Sequence, residues 1–328
     1  MIRRRFDSIV VSVALMAALL LAACGGGAAA QTPSTLTLDW AYYNPTSLVL
    51  EHFGWLEEDL SADGIEVSWV QSAGSNKAIE FLNSGSVQFG STAGAAALLA
   101  KVAGSPIRSV YSYSQPEWTA LVTLEDSDIR SVEDLAGKRV AVTRGTDPHI
   151  FLVRALADHG LSEDDIESVL LQHADGRNAL ISGQVDAWAG LDPMMAEAEL
   201  EQGARLFYRA PELNTWGILN VNEDFAEEHP HLVEKVIAAY ERAREWALEN
   251  PDELAQILAD AAGLSIEVAE AQLARTSFTT PALGEAQYES ILGAGEALQQ
   301  AGEIDSDVDV QAVLDALFDP SFTTDLED

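Results

Sequence analysis

From Leu36 onward, short apolar runs alternate with segments of helical period, and this alternation predicts an α/β fold with a largely parallel sheet. Strands are predicted over 36–41, 65–70, 87–90 and 107–113, with helices over 46–56, 76–83 and 95–102 between them. The cycle then begins again, with strands over 138–143, 168–172 and 185–189 and helices over 148–159 and 177–181. A strand over 216–221 follows, and the rest of the chain reads as helical. Within 231–248, Leu232, Val233, Val236, Ile237, Tyr240, Ala243 and Ala247 fall on one face, the stripe that a core-packed helix needs. Asn250-Pro251-Asp252-Glu253 opens another helix with a capping Asn, a Pro at the first position and acidic residues in the first turn. Further helices are predicted over 266–273, 284–299 and 308–317.

The two cycles share a tetrapeptide pattern. Ser84-Gly85-Ser86-Val87 and Ser182-Gly183-Gln184-Val185 each stand between a short helix and a strand, where Gly can end the helix in a left-handed conformation. Two similar α/β lobes are therefore expected, one interrupted by the other. Lobe 1 covers 36–117, lobe 2 covers 118–216, and the chain returns to lobe 1 over 217–328. Crossings fall near 117–119 and 216–217, and the helical C-terminal segment packs on lobe 1.

The N-terminus follows other rules. Arg3, Arg4 and Arg5 precede an uncharged apolar run over 9–21, the arrangement of an export signal. Its 13 residues are too few to span a bilayer, which takes about 20. Leu21-Ala22-Ala23-Cys24 resembles the lipobox of bacterial lipoproteins. The resemblance implies a signal peptide over 1–23, lipidation of Cys24 and attachment outside the cytoplasmic membrane; a plain signal peptide with an incidental Cys is the alternative. Arg4-Arg5-Phe6 weakly resembles a twin-arginine signal, but Asp7 falls where that signal prefers a hydrophobic residue, so the export route stays open. Residues 24–35 are small and aperiodic and read as a flexible tether. Cys24 is the only cysteine, so no internal disulfide can form.

Charge narrows the partners. The chain holds 18 basic and 53 acidic residues, and loss of 1–23 would leave a net charge of about −37. Such a surface is unfit for nucleic acid or anionic lipid, whose binding rests on clustered Lys and Arg. With 48% apolar residues it is equally unlike a disordered chain. The acidity suits solubility, including in a salty medium that screens self-repulsion.

Candidate chemistry gathers at strand ends. Asn44-Pro45, Asp147-Pro148 and Asp192-Pro193 each place a capping side chain and a helix-starting Pro just beyond a strand, where open α/β sheets bind ligands. Gly74-Ser75 and Ser91-Thr92 supply two more such loops, and convergent helix N-termini would offer free N–H groups to an anion. Tyr42, Tyr43 and Trp118 can wall a small-molecule pocket or simply pack in the core. Glu117, Asp147 and Asp192 read either as caps or as contacts for a positive end of the ligand.

Phe53-Gly54-Trp55-Leu56, the segment from Leu82 to Gly90, Leu135-Ala136-Gly137-Lys138, Val185-Asp186-Ala187-Trp188 and Asp192-Pro193 together resemble solute-binding proteins of ABC importers, in the aliphatic sulfonate, taurine and nitrate branch. The similarity is greatest to the sulfonate group, at Glu117-Trp118 and at Gly145-Thr146-Asp147-Pro148. It implies a periplasmic-binding-protein-like type II fold that closes on its ligand, docks to a membrane permease and is a monomer without cofactor or metal. Arg144, beside Gly145 and Thr146 at a strand end, would then suit a sulfonate oxygen pair; the alternative is a solvated Arg on the lobe rim. The nitrate and thiamine-pyrimidine receptors are the neighbouring readings, with an enzyme or a sensor on the same fold behind them.

Rival motifs fail on chemistry. Gly90-Ser91-Thr92-Ala93-Gly94 has Thr where a nucleophile elbow needs Ser. The acidic run from Asp305 to Asp309 lacks the Gly and the final Glu of a calcium loop. His229 and His231 lack further ligands in sequence and read as an exposed helix start.

Overall fold

Two mixed sheets organise residues 32–326, the part of the chain that the computed structural model describes. The predicted export segment and Cys24 lie outside the described residues. The first sheet holds β1 (Thr35–Trp40), β2 (Glu66–Gln71), β3 (Phe89–Ala93), β4 (Ile107–Pro116), β10 (Gly217–Asn222) and β11 (Thr276–Ser277), in the order β11-β4-β10-β3-β1-β2. The second holds β5 (Leu121–Leu124), β6 (Arg139–Val142), β7 (Glu167–Leu170), β8 (Ala187–Ala189) and β9 (Ala204–Tyr208), in the order β7-β6-β8-β5-β9.

The sheets repeat one plan. In each, three strands run parallel, β2-β1-β3 and β7-β6-β8, and an antiparallel strand then pairs beside the third, β10 on β3 and β5 on β8. That antiparallel strand is the first one formed after the chain leaves the other sheet: it passes over between Pro116 and Leu121 and returns between Tyr208 and Gly217. The repeated tetrapeptides occupy matching places before β3 and β8, with Gly85 at φ 70° and Gly183 at φ 71°.

Most helices start where the capping signals put them, with one division. The helix predicted over 46–56 is two, α1 (Pro45–Phe53) and α2 (Trp55–Ser61), because Gly54 at φ 66° ends the first in a left-handed turn. Then come α3 (Ser75–Ser84), α4 (Gly94–Val102), α5 (Asp147–Asp158), α6 (His173–Ile181) and α7 (Met194–Glu201). After the return, α8 (Glu223–Glu228), α9 (Pro230–Glu249), α10 (Pro251–Ala262), α11 (Ile266–Leu273), α12 (Glu285–Gln300) and α13 (Val310–Leu317) follow. The stripe read on α9 is buried in full and joins the core of the first sheet. The second sheet has a separate cluster on each face, and successive residues alternate between them: Leu121 and Val140 on one side, Val122 and Ala141 on the other.

Gly217, where the chain re-enters the first sheet, has no room for a side chain. A Cβ there would lie 2.3 Å from Tyr113 Cε2 and 2.7 Å from Ser114 Oγ. Tyr113 is fully buried and cannot swing out. Gly217→Ala is expected to cost about 1–3 kcal/mol of stability, read as a lower midpoint in urea; an unchanged midpoint would mean that Tyr113 yields.

Candidate functional site

A cavity of about 280 Å³ opens between the carboxyl ends of the two sheets. Tyr42, Tyr43, Gln71, Ser72 and Ala73, just after β1 and β2, form one wall. Opposite stand Gln172, His173 and Arg177 from the start of α6, together with Leu191, Asp192, Met194 and Glu197 around the start of α7. A narrow niche of about 10 Å³, lined by Tyr43, Ser75, Trp118, Thr146, Asp147 and Leu191, lies beside it.

The first wall is held from behind by a buried carboxylate. Asp39 accepts hydrogen bonds from Ser91 N and Ser91 Oγ, both at 2.8 Å, and from Ser72 Oγ at 2.6 Å. Burial pushes its carboxyl up to about 6, against the pull of these donors. Tyr43 donates to Ser91 O at 3.0 Å, which fixes its ring on the cavity edge with Trp118 packed edge-on at 5.9 Å.

This network corrects three expected ligand contacts. Asn44 donates to Ser91 Oγ at 2.8 Å and accepts from Thr46 Oγ1 at 2.7 Å and from Ser47 N at 3.3 Å. Thr92 Oγ1 accepts from Asn220 Nδ2 at 2.7 Å. Asn44, Ser91 and Thr92 are fully buried and spent on these bonds, and none of them lines the cavity.

The acidic candidates divide. Asp147 does not cap its helix; it is the first helical residue, and its carboxylate accepts from Trp118 Nε1 at 2.7 Å, Thr215 N at 2.9 Å and Thr215 Oγ1 at 2.6 Å. Burial pushes its carboxyl up and those donors pull it back. Asp192 does cap α7, accepting from Ala196 N at 2.9 Å, and it also lines the cavity with Arg275 at 3.5 Å. Burial raises its carboxyl to about 7. Glu117 lies outside the cavity in a two-pronged ion pair with Arg209, at 2.6 and 2.8 Å.

Arg144 is not brought to this cavity. It is 58% exposed, 3.7 Å from Glu163, and lines a separate groove beside α5 and α12. Thr143 turns its side chain to Leu171 O and His173, whereas Arg144, in the turn beyond β6, reaches toward Glu163. Gly145 serves its left-handed backbone (φ 75°), whereas Gly74 (φ 150°) is a close-approach point, with His173 Nε2 2.9 Å from where a Cβ would lie.

Gln71, Ser72, Gln172, His173, Arg177, Met194 and Glu197 were absent from the sequence candidates. Gln172 ends the strand predicted over 168–172 and His173 follows it, so the strand-end rule alone points to them. Arg177 is the cationic group of the cavity. It pairs with Glu197, and its Nε has no hydrogen-bond partner among the described residues. Away from the cavity, His149, Glu163 and Glu303 bring ligand atoms within 4.8 Å of one another, the one such trio among the described residues. His149 already holds Glu163 down to about 2.

Residues 54–254, more than half of the chain, match the NMT1/THI5-like family. The chain belongs to that family. Among NMT1/THI5-like relatives, a protein of Escherichia coli (strain K12) named for binding aliphatic sulfonates is 31% identical over 217 residues, 66% of this chain and 68% of its own. The structure of the alkanesulfonate-binding protein of Xanthomonas axonopodis pv. citri, bound to MOPS, superposes with a TM-score of 0.79 at 26% identity, covering 87% of this chain and 99% of that one. A pyrimidine phosphate synthase of Legionella pneumophila, 25% identical over 69% of this chain and 73% of its own, places an enzyme in the same circle. The NMT1/THI5-like chain thus has the two-lobed binding-protein fold that its sequence predicted.

Asp147 supplies the sharpest test of the site's framework. Asp147→Ala would leave the Trp118 indole and the Thr215 amide and hydroxyl without an acceptor, at a cost of about 2–5 kcal/mol. Urea unfolding should show the loss; an unchanged midpoint would mean that the carboxylate is dispensable.

Proposed function

We propose that this protein is the non-enzymatic solute-binding subunit of an ABC importer, which captures a small organosulfonate between its lobes and delivers it to the permease. The observation that carries the reading is the cavity itself: both sheets contribute to it at their strand ends, in a chain similar along most of its length to an alkanesulfonate receptor. Tyr42 and Tyr43 offer apolar surface to the carbon part of the ligand, with Trp118 beside them in the niche. Arg177 takes the role first given to Arg144, the cation facing the sulfonate.

The lobes are linked covalently by the two crossings alone, and the ion pairs of Arg275 with Asp192 and Glu199 also bridge them. A ligand that touches both walls favours the closed arrangement by its differential affinity. Trp118 and Trp216 stand at the crossings and report that motion by fluorescence.

Calorimetry with the mature chain against alkanesulfonates, taurine, nitrate and an aminopyrimidine is the deciding experiment. Saturable binding of a sulfonate, without turnover, is expected. Binding of the aminopyrimidine with no response to any sulfonate would overturn the assignment.

The subunit is held outside the cytoplasmic membrane by lipid on Cys24, a reading that rests on Leu21-Ala22-Ala23-Cys24 and the apolar run before it. Among the described residues no helix is long and apolar enough to cross a membrane. Cys24→Ser should move the protein from the membrane to the aqueous fraction with unchanged ligand affinity. Retention in the membrane fraction would refute the anchor.

A further inference from the structure

Away from the cavity, the two halves of the chain also meet along α5 and α12, and three side chains with metal-ligand chemistry converge there. His149 is in the first turn of α5, and Glu163 opens the short helical turn Glu163–Asp165 that follows it. Glu303 belongs to the first half. It follows α12, whose Ile291, Ala294 and Leu298 are part of the core of the first sheet. Gly302 (φ 83°) ends α12 in a left-handed turn, with Gly302 N donating to Gln299 O at 3.1 Å and Glu303 N to Leu298 O at 2.9 Å. This paired cap fixes the backbone of Glu303, and the next residue, Ile304, is buried in the same core.

The trio has the dimensions of a metal site. His149 Nε2 stands 3.2 Å from Glu163 Oε1, and Glu303 brings an oxygen within 4.8 Å of a ligand atom on each. Two ligands about 2.1 Å from one zinc ion at tetrahedral angles are about 3.4 Å apart, so the first pair already fits and a rotation of the Glu303 side chain completes the set.

The His149 imidazole is 1% exposed, and among the described residues its one hydrogen-bond partner is Glu163: Nδ1 has none, and Nε2 is aimed into the trio. Nδ1 stays unpaired whether Nε2 carries a proton or a metal, so its cost favours neither state. The charge does distinguish them. Closure of the halves sets the Glu303 carboxylate beside that of Glu163, and two carboxylates so close call for a positive charge between them. Arg144 is exposed at 3.7 Å from Glu163, and Arg154 Nη1 donates to Leu213 O instead. Glu163 and Glu303 both line the groove of about 820 Å³ beside α5 and α12, which gives a cation its entry from solvent. A buried imidazole with two carboxylates suits zinc, whereas calcium and magnesium take oxygen ligands.

We propose that His149, Glu163 and Glu303 form a zinc site across the two halves, with water completing the coordination, and that the ion holds the halves in the closed arrangement. This goes beyond the proposed function and does not rest on it, because none of the three residues lines the cavity.

The test uses the untagged mature chain with Cys24→Ser, which removes the only thiol, and zinc chloride in a buffer that does not chelate. Calorimetry is expected to show one zinc ion per chain that a large excess of calcium does not displace; exposed carboxylates alone would not separate the two ions. Glu303→Gln keeps the size of a half-buried side chain and should weaken zinc binding at least about tenfold. His149→Phe should do the same. In small-angle X-ray scattering, zinc should lower the radius of gyration of the ligand-free chain, and Glu303→Gln should abolish that change. Zinc that fails to bind, that calcium displaces, or that binds Glu303→Gln as tightly as the parent chain overturns the site. Zinc that binds at the trio without compaction overturns the bridge. Each reading is made without a sulfonate, so failure of the sulfonate assignment leaves it intact.

Discussion

One buried carboxylate holds the two halves of this protein in register. Asp147 opens α5 in the second half, and its three donors come from Trp118 on the outgoing crossing and Thr215 on the returning one. Asn214 adds a parallel tie by accepting from Thr119 N at 2.9 Å. Thr215 Oγ1 also receives the Ala95 amide, and Trp216 O receives that of Gly94, so α4 in the first half is anchored to the same knot. The two connections therefore behave as one braced joint. An ionised carboxylate can stay this deeply buried only while all of its donors remain in place.

The joint decides where chemistry can occur. It lies at one end of the niche that Trp118 and Tyr43 line. Asp39 plays the matching part inside the first half, fixing Ser72 and Ser91 and, through Ser91, Tyr43. Several polar residues that resemble ligand contacts in sequence are instead the internal struts of these two networks. The cavity walls are left to residues with unspent hydrogen-bonding capacity, His173, Gln172 and Arg177 among them.

The fold was legible because its signals are local and repeated. Period-2 and period-3.6 runs located the parallel strands and long helices, and the paired S-G-x-V segments exposed the duplication. Strands β5 and β9 were missed: β5 is four residues with no alternation to read, and β9 is a short, half-buried pair to it. The site was less legible. A capping Asx looks alike in sequence whether its side chain meets a helix, a ligand or an indole, and only the third dimension separates Asp192 from Asp147. Arg144 sits in the turn beyond β6, where no strand or helix period fixes the direction of a side chain.

The plan of the first sheet also bears on how the chain matures. β10 lies between β3 and β4 and is what joins them, yet it is made about a hundred residues after β4. A nascent chain that has produced only the first half can pair β2, β1 and β3, but β4 cannot join them until Gly217 and its successors arrive. Such long-range pairing slows folding. Under the export proposed above the delay is useful, because a polypeptide whose first sheet is completed late remains threadable while it is being moved.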